Sequence, residues 1–169
     1  MKFCYECGTA LITKLNGIDG ETPYCPCCQT FRFPIFSTAV SMIVKNPSED
    51  KILLIKQYGK PNYVLVAGYV NKGENAEQTV HREVKEETGL NIVKLRPSKS
   101  AYFAPTNTLM LNFSCVADSM DLSGINEEID SAAWFSFEDA AKNIKPNSVA
   151  QHFLLYYLEQ YKHEMEVSL

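Results

Sequence analysis

The chain has 169 residues, 46% of them hydrophobic and 21% charged, with a formal net charge of −4. That is the profile of a globular chain with room for one ordinary domain and a small appendage, and it excludes a disordered or fibrous protein. The balance is acidic, so there is no basic footprint for nucleic acid. No apolar run is long enough to cross a bilayer. No apolar core follows Met1-Lys2-Phe3-Cys4, so the start does not resemble a signal peptide, and a cytoplasmic setting is expected. Cytosolic thiols stay reduced, so the six cysteines are read as metal ligands or buried thiols before disulfides.

Five of those six cysteines fall in the first 28 residues. The segment 1–34 has little hydrophobic periodicity and needs a staple to fold. Cys4-x₂-Cys7 and Cys25-x₂-Cys28, with residues 8–24 between them, have the spacing of a four-cysteine zinc ribbon. Cys27 is an alternative fourth ligand, although two intervening residues suit a knuckle better. With four protein ligands the Zn²⁺ is structural and not catalytic. Lys2, Lys14 and Arg32 balance Glu6, Asp19 and Glu21, so the ribbon offers phosphate backbones no attraction. A structural or dimer-forming role is expected of it. Cys115 lies in a strand-like run and reads as a buried thiol.

A second domain is expected over 35–169. Ser37 to Val44 and Lys51 to Gln57 are strand-like and are separated by the turn Asn46-Pro47-Ser48-Glu49-Asp50. Tyr63 to Ala67 reads as a third strand ending at Gly68. A helix is expected from Ala76 to Thr88, with Asn75 as N-cap and Gly89 as stop. Further strands include Leu109 to Val116 and Ala133 to Phe135, and a final helix runs from about Ser148 to Glu164. Strands and helices mix without regular alternation, which predicts an α+β sandwich on a mixed sheet.

The central helix carries the chemistry. At 100° per residue, with Glu83 at zero, Glu87 falls at about 40° and Glu86 at about −60°, so three carboxylates share one face. Clustered like charges oppose helix formation unless cations sit on them. Hard divalent cations take such oxygen ligands, and a charged helix edge is the alternative. Ala76, Val80 and Val84 lie beside the carboxylates, so the acidic stripe borders the apolar face instead of opposing it. Gln78, His81 and Lys85 take the water side. Arg82 sits four residues before Glu86, close enough to pair with it.

Read from Gly68, the segment is Gly68-x₅-Glu74-x₇-Arg82-Glu83-Val84-Lys85-Glu86-Glu87-Thr88-Gly89-Leu90. It resembles the Nudix box at every defining position. Seven exact residues and two apolar ones at fixed spacing arise by chance less than about once in 10⁸ starting points. The resemblance implies a Nudix α/β/α sandwich and a loop–helix–loop that holds Mg²⁺ or Mn²⁺ against a diphosphate. It implies Glu83 and Glu87 as ligands, with Glu86 a further ligand or a water-positioning group. The backbone at Ala67–Gly68 completes the shell, and Glu74 and Arg82 orient the ligands. The implied reaction is attack of metal-activated water on a P–O–P bridge. Glu127-Glu128-Ile129-Asp130-Ser131-Ala132-Ala133-Trp134-Phe135 resembles the family's later strand, which makes Glu128 a further expected ligand; a surface acid in a turn is the alternative.

A zinc ribbon before such a domain resembles the NADH pyrophosphatase family over nearly the whole chain. Phe31-Arg32-Phe33-Pro34 resembles its aromatic–Pro joint, and Ala67-Gly68-Tyr69-Val70 its entry to the box. Pro146-Asn147-Ser148-Val149-Ala150 resembles its C-terminal segment. By this resemblance Phe33, Tyr69, Phe103 and Ala150 contact substrate. The family's Ser-Gln-Pro-Trp-Pro-Phe-Pro-x-Ser segment is replaced here by Ser100-Ala101-Tyr102-Phe103-Ala104-Pro105-Thr106-Asn107-Thr108, which opens the substrate choice to NAD(H), ADP-ribose or FAD. A second ribbon-bearing group, hydrolysing ADP-ribose or FAD, resembles the chain equally in its start. NAD-capped RNA is a remoter candidate, and related enzymes are often dimers. A nucleotide-sensing module using the ribbon as a partner surface is the alternative outside catalysis. A housecleaning triphosphatase is a third option.

Overall fold

The computed structural model describes residues 2–167; Met1, Ser168 and Leu169, the outer ends of the two expected domains, lie outside them. The chain divides into two compact units, 1–36 and 37–169.

The first unit is a three-stranded antiparallel sheet of β1 (Ile12–Leu15), β2 (Glu21–Cys25) and β3 (Thr30–Phe31), in the order β1-β2-β3. Its cysteine pairs sit in tight turns at Cys4–Gly8 and Cys25–Cys28. Gly8 closes the first with a positive φ of 73° and its N–H on the Cys4 carbonyl at 2.9 Å. Few apolar side chains are buried here. Cys4 and Cys25 are the buried members, while Phe3, Tyr5, Ile12, Leu15 and Ile18 are exposed. The unit therefore depends on its sulfur cluster more than on a core.

The second unit opens with β4 (Ser37–Lys45) and β5 (Lys51–Gln57), then β6 (Val66–Tyr69) and α1 (Ala76–Thr88). It continues through β7 (Ile92–Phe103), β8 (Thr108–Ala117) and β9 (Ile129–Ser136) to α2 (Phe137–Asn143) and α3 (Val149–Val167). The sheet runs β7-β8-β4-β5-β9, with β6 also bonded to β4. Strands β4 and β8 are parallel and the other pairs antiparallel, so the sheet is mixed.

Both faces of this sheet are covered, which explains why β4 and β5 are apolar without alternation. Val40, Met42, Val44, Leu53 and Ile55 pack with Val80 and Val84 of α1 on one side. Ile43, Ile52 and Leu54 pack with Ala140 of α2 and Phe153 and Leu154 of α3 on the other. This is the α/β/α sandwich on a mixed sheet.

The third strand differs from expectation. It spans Val66–Tyr69, and Tyr63 and Val64 make only isolated bridges, because Tyr63 pairs with Ile144 and Val64 with Ile55. The expected helix Ala76–Thr88 is present with a full capping box. The Asn75 side chain accepts from Gln78 N and the Gln78 side chain from Asn75 N. A cap of this kind is worth about 1 kcal/mol. Gly89 ends α1 at φ 76°, and a Cβ there would lie 2.8 Å from the Gly124 backbone, so only glycine fits.

Candidate active site

The site is built from α1, the β6 strand that leads into it, and the two loops beside Gln57 and Ile129. Val80 and Val84 anchor one stripe of α1 in the core, while Gln78, His81 and Lys85 are exposed. The intervening edge carries Glu83 and Glu87, and it turns Glu83 under Gly68 of β6. Gly68 makes this approach possible: a Cβ on it would lie 1.9 Å from the Glu83 carboxyl carbon. Any larger residue at 68 displaces that carboxylate. Ala67 and Gly68 are themselves held by register, opposite Ser41 and Val40 of β4.

Arg82 organises the acids. Its Nε and Nη2 donate to the two carboxylate oxygens of Glu74 at 2.7 and 3.0 Å. Its Nη1 donates to Glu83 at 2.7 Å and to Glu86 at 3.0 Å, and Nη2 also reaches the Tyr69 carbonyl at 3.0 Å. One guanidinium thus ties the loop before the helix, the strand before the loop and two helix carboxylates into one unit. Glu74 further accepts from Thr79 Oγ1 and Asn71 N. The Arg82 guanidinium, with these donors, holds the Glu74 carboxyl at about 2. Arg82 is raised in turn, chiefly by Glu74.

Glu87 stands in the opposite condition. It is 5% exposed, and its Oε2 is buried with no hydrogen-bond partner. Burial pushes its carboxyl up to about 8, and the charges of Glu83, Glu128 and Glu86 add to the rise. Glu83 is also raised, by burial first, against the opposing pull of Arg82. An unpaired buried carboxylate among three others is costly. A divalent cation is the group that these oxygens fit, since it would neutralise the cluster and satisfy the orphaned oxygen.

Glu128 enters from the loop before β9. Its N–H is capped by Asn126 Oδ1 at 3.0 Å, and its Oε2 accepts from the Tyr58 hydroxyl at 3.3 Å. Tyr58 follows β5 with φ at 57°, a conformation uncommon for a bulky residue. The next residue, Gly59, donates its N–H to Asp130 Oδ2 at 2.7 Å. This strained turn therefore fixes the loop that bears Glu128, and burial and the Glu128 charge raise the Tyr58 phenol. Tyr58 and Asp130 escaped the sequence reading. A Tyr-Gly pair at a strand end was the only signal, and it looks like any turn.

The expected substrate residues are scattered. Tyr69 is exposed at the end of β6, and Phe33 is exposed in the first unit. Phe103 lines a cavity of about 540 Å³ between β7, β8 and the start of α3, with Tyr102, Asn112, Lys145 and His152. Ala150 packs against the core beneath α3, one residue after the cavity residue Val149.

In the first unit the Sγ atoms of Cys4, Cys7, Cys25 and Cys28 all lie within 4.8 Å of one another. None is in a disulfide. Cys7 and Cys25 Sγ lie 3.5 Å apart and Cys4 and Cys28 Sγ 3.9 Å, and Cys28 N donates to Cys25 Sγ at 3.3 Å. Cys27 is exposed and outside the cluster. Buried Arg32 supports the cluster, bonded to Glu6 at 2.5 Å and lying over the Tyr5 ring. Four converging thiols with an N–H to sulfur suit a tetrahedral thiophilic metal.

Comparison with known proteins agrees with this geometry. The profile of the NUDIX domain matches residues 36–157. The NAD-capped RNA hydrolase NudC of Pseudomonas aeruginosa is 32% identical over 160 residues, covering 93% of this chain and 55% of that protein. NudC of Chromobacterium violaceum is 29% identical over 153 residues, 90% of this chain and 57% of that one. The chain thus spans a little over half the length of these relatives. Among solved structures, a NUDIX hydrolase from Nitrosomonas europaea has a TM-score of 0.67 at 24% identity, covering 96% of this chain and 93% of its own. The NUDIX domain of Shewanella oneidensis NrtR, solved with ADP ribose, has a TM-score of 0.61 at 16% identity, covering 84% and 94%. The chain belongs to the NUDIX domain family.

Proposed function

We propose that this chain hydrolyses the diphosphate bridge of a nucleotide linked to a second moiety, with Mg²⁺ or Mn²⁺ held by Glu83, Glu87 and Glu128 and by the backbone at Ala67–Gly68. The carrying observation is the buried, unpartnered Glu87 carboxylate facing Glu83, Glu86 and Glu128. When bound, such a cation lowers the pKa of water and neutralises charge on the leaving phosphate. The chain's own residues do the rest. Arg82, pinned by Glu74, sets the angle of Glu83 and holds Glu86 at the rim. Tyr58 sets Glu128. Glu86 is 57% exposed at the rim and serves as a further ligand or positions water.

Substrates with an adenine dinucleotide or ADP-ribose body fit best. The curated relatives are named for NAD-capped RNA, and a neighbour in fold carries ADP ribose. The cavity beside Phe103 offers one ring a seat, and the exposed Tyr69 offers a stacking face. NAD(H) is the leading candidate, followed by ADP-ribose and FAD. The four-cysteine cluster is proposed to hold Zn²⁺ as a structural ion.

Product analysis tests this reading. The purified chain is incubated with Mg²⁺ or Mn²⁺ and, in parallel, NADH, NAD, ADP-ribose, FAD and dATP. AMP release from a diphosphate-linked substrate, abolished by chelation, is expected. Cleavage of dATP alone would instead favour a triphosphatase. Tight binding of these nucleotides with no hydrolysis would favour a sensing module.

A further inference from the structure

We propose that the side-chain amide of Asn112 recognises a substrate ring through an edge that carries a hydrogen-bond donor beside an acceptor: the 6-amino edge of adenine or a primary carboxamide. The proposal rests on the dinucleotide reading above and adds a specificity residue to it.

Asn112 lies in β8 and is 3% exposed. Its Oδ1 is buried without a hydrogen-bond partner. Among the described residues its Nδ2 has none either, and the residue lines the cavity of about 540 Å³. A buried primary amide offers two donors and one acceptor. Leaving them unmade is destabilising, and an apolar residue of similar shape would avoid that penalty. The sheet interior uses such residues elsewhere: Leu111 and Phe113 flank Asn112 in β8, and Ile43 of β4 packs in the α2–α3 layer. A polar group kept here without a protein partner is accounted for by a partner that arrives with the ligand.

The walls suit a flat ring. Phe103, which register places on the same face of the sheet as Asn112, supplies an aromatic wall. An asparagine amide matches a donor–acceptor edge in two parallel hydrogen bonds, as it does on adenine. Lys99, Lys145 and His152 border the same cavity and favour an attached phosphate or ribose over a bare ring.

The placement suits the reaction. Asn112 is register partner of Ser41, and Ser41 of Ala67. This row crosses two strand spacings, about 10 Å, and puts the amide level with the Ala67–Gly68 entry to the carboxylate site. A substrate that occupies both crosses the margin of β6, where Tyr69 is exposed.

The test pairs NADH analogues with Asn112→Leu. A 1,N6-etheno-adenine analogue removes the adenine edge, and a 3-acetylpyridine analogue replaces the carboxamide by a methyl ketone. One of the two is expected to lose at least about tenfold in kcat/KM against the parent with the wild-type chain. Asn112→Leu is expected to bring the parent down to that analogue and erase the difference, mainly through KM. Its Tm is expected to equal or exceed wild type, because the lost amide had no partner. Which analogue suffers identifies the ring. Equal turnover of both analogues and parent by wild type overturns the proposal, as does discrimination that survives in Asn112→Leu. Equilibrium binding of AMP and NMN is measured alongside. If no dinucleotide is cleaved, the hydrolase reading fails by itself, and the Asn112 proposal stands only if Asn112→Leu weakens binding of one mononucleotide at least about tenfold.

Discussion

Arg82 and Glu74 meet side-on, with Nε to Oε1 at 2.7 Å and Nη2 to Oε2 at 3.0 Å, across the loop that joins β6 to α1. The pair is eight residues apart and cannot form along a helix, so it exists only when the whole loop is folded. Its role is to aim Arg82 Nη1 at Glu83 and Glu86. Glu74→Gln keeps the shape but loses the charge and one strong acceptor. It is expected to lower activity about 10–100-fold, with a raised requirement for Mg²⁺ or Mn²⁺ and an unchanged fold by circular dichroism. A metal titration of the rate checks this, and an unaltered metal requirement would remove Glu74 from the positioning role.

Glu87 is a stability liability without a cation, because its carboxylate is desolvated and surrounded by like charge. Glu87→Gln should therefore raise the Tm of the chelated chain. Adding Mn²⁺ should raise the Tm of the wild type and leave the variant nearly unmoved. Thermal melts in chelator and in millimolar Mn²⁺ read both effects. A chelated variant less stable than the chelated wild type would contradict the burial argument.

Much of this site is legible in the sequence because one short segment holds it. The capping residue, the stop glycine and the spacing of Glu83, Glu86 and Glu87 are local properties of α1. What is not legible depends on contacts between distant segments. Tyr58 reaches Glu128, 70 residues away, through a turn that has no motif. Asn112 reads as an ordinary strand residue until β8 is seen beside the start of α3. Helix α2 and the long β7 were not specified, since the α2 segment is short and β7 is largely exposed along its length.

Acid stability is expected to depend on Glu49. This residue, at φ 57° in the β4–β5 turn, bridges Lys45 at 2.5 Å and Lys94 at 2.6 Å. The two ammonium groups, Lys45 first, hold its carboxyl at about 2, below the ordinary value of 4.5. A folded pKa below the unfolded one means the unfolded chain binds the proton more readily. The stabilisation is thus complete above about pH 4.5 and is lost as pH falls toward 2. Glu49→Gln should flatten that part of the stability–pH curve and cost modestly at neutral pH, since the group is one-third exposed. Urea melts from pH 2.5 to 7 measure it. Parallel curves for the two proteins would contradict the assignment.

The cysteine cluster separates two ligand sets by a single pair of variants. Cys28 sits among the other three sulfurs, and Cys27 is exposed outside them. Cys27→Ser is expected to keep about one zinc per chain, and Cys28→Ser to lose zinc or bind it weakly. Elemental analysis of the purified proteins decides it. Zinc retained in Cys28→Ser and lost in Cys27→Ser would exchange the two residues' roles.

The most direct test of the account is hydrolysis of NADH by the wild-type chain and by Glu87→Gln at saturating Mg²⁺ or Mn²⁺, followed by AMP release. Metal-dependent AMP and NMNH production by wild type is expected, with a loss of at least about a thousandfold in the variant, whose fold is intact. Substantial turnover by Glu87→Gln at saturating metal would contradict the claim that this buried carboxylate holds the catalytic cation.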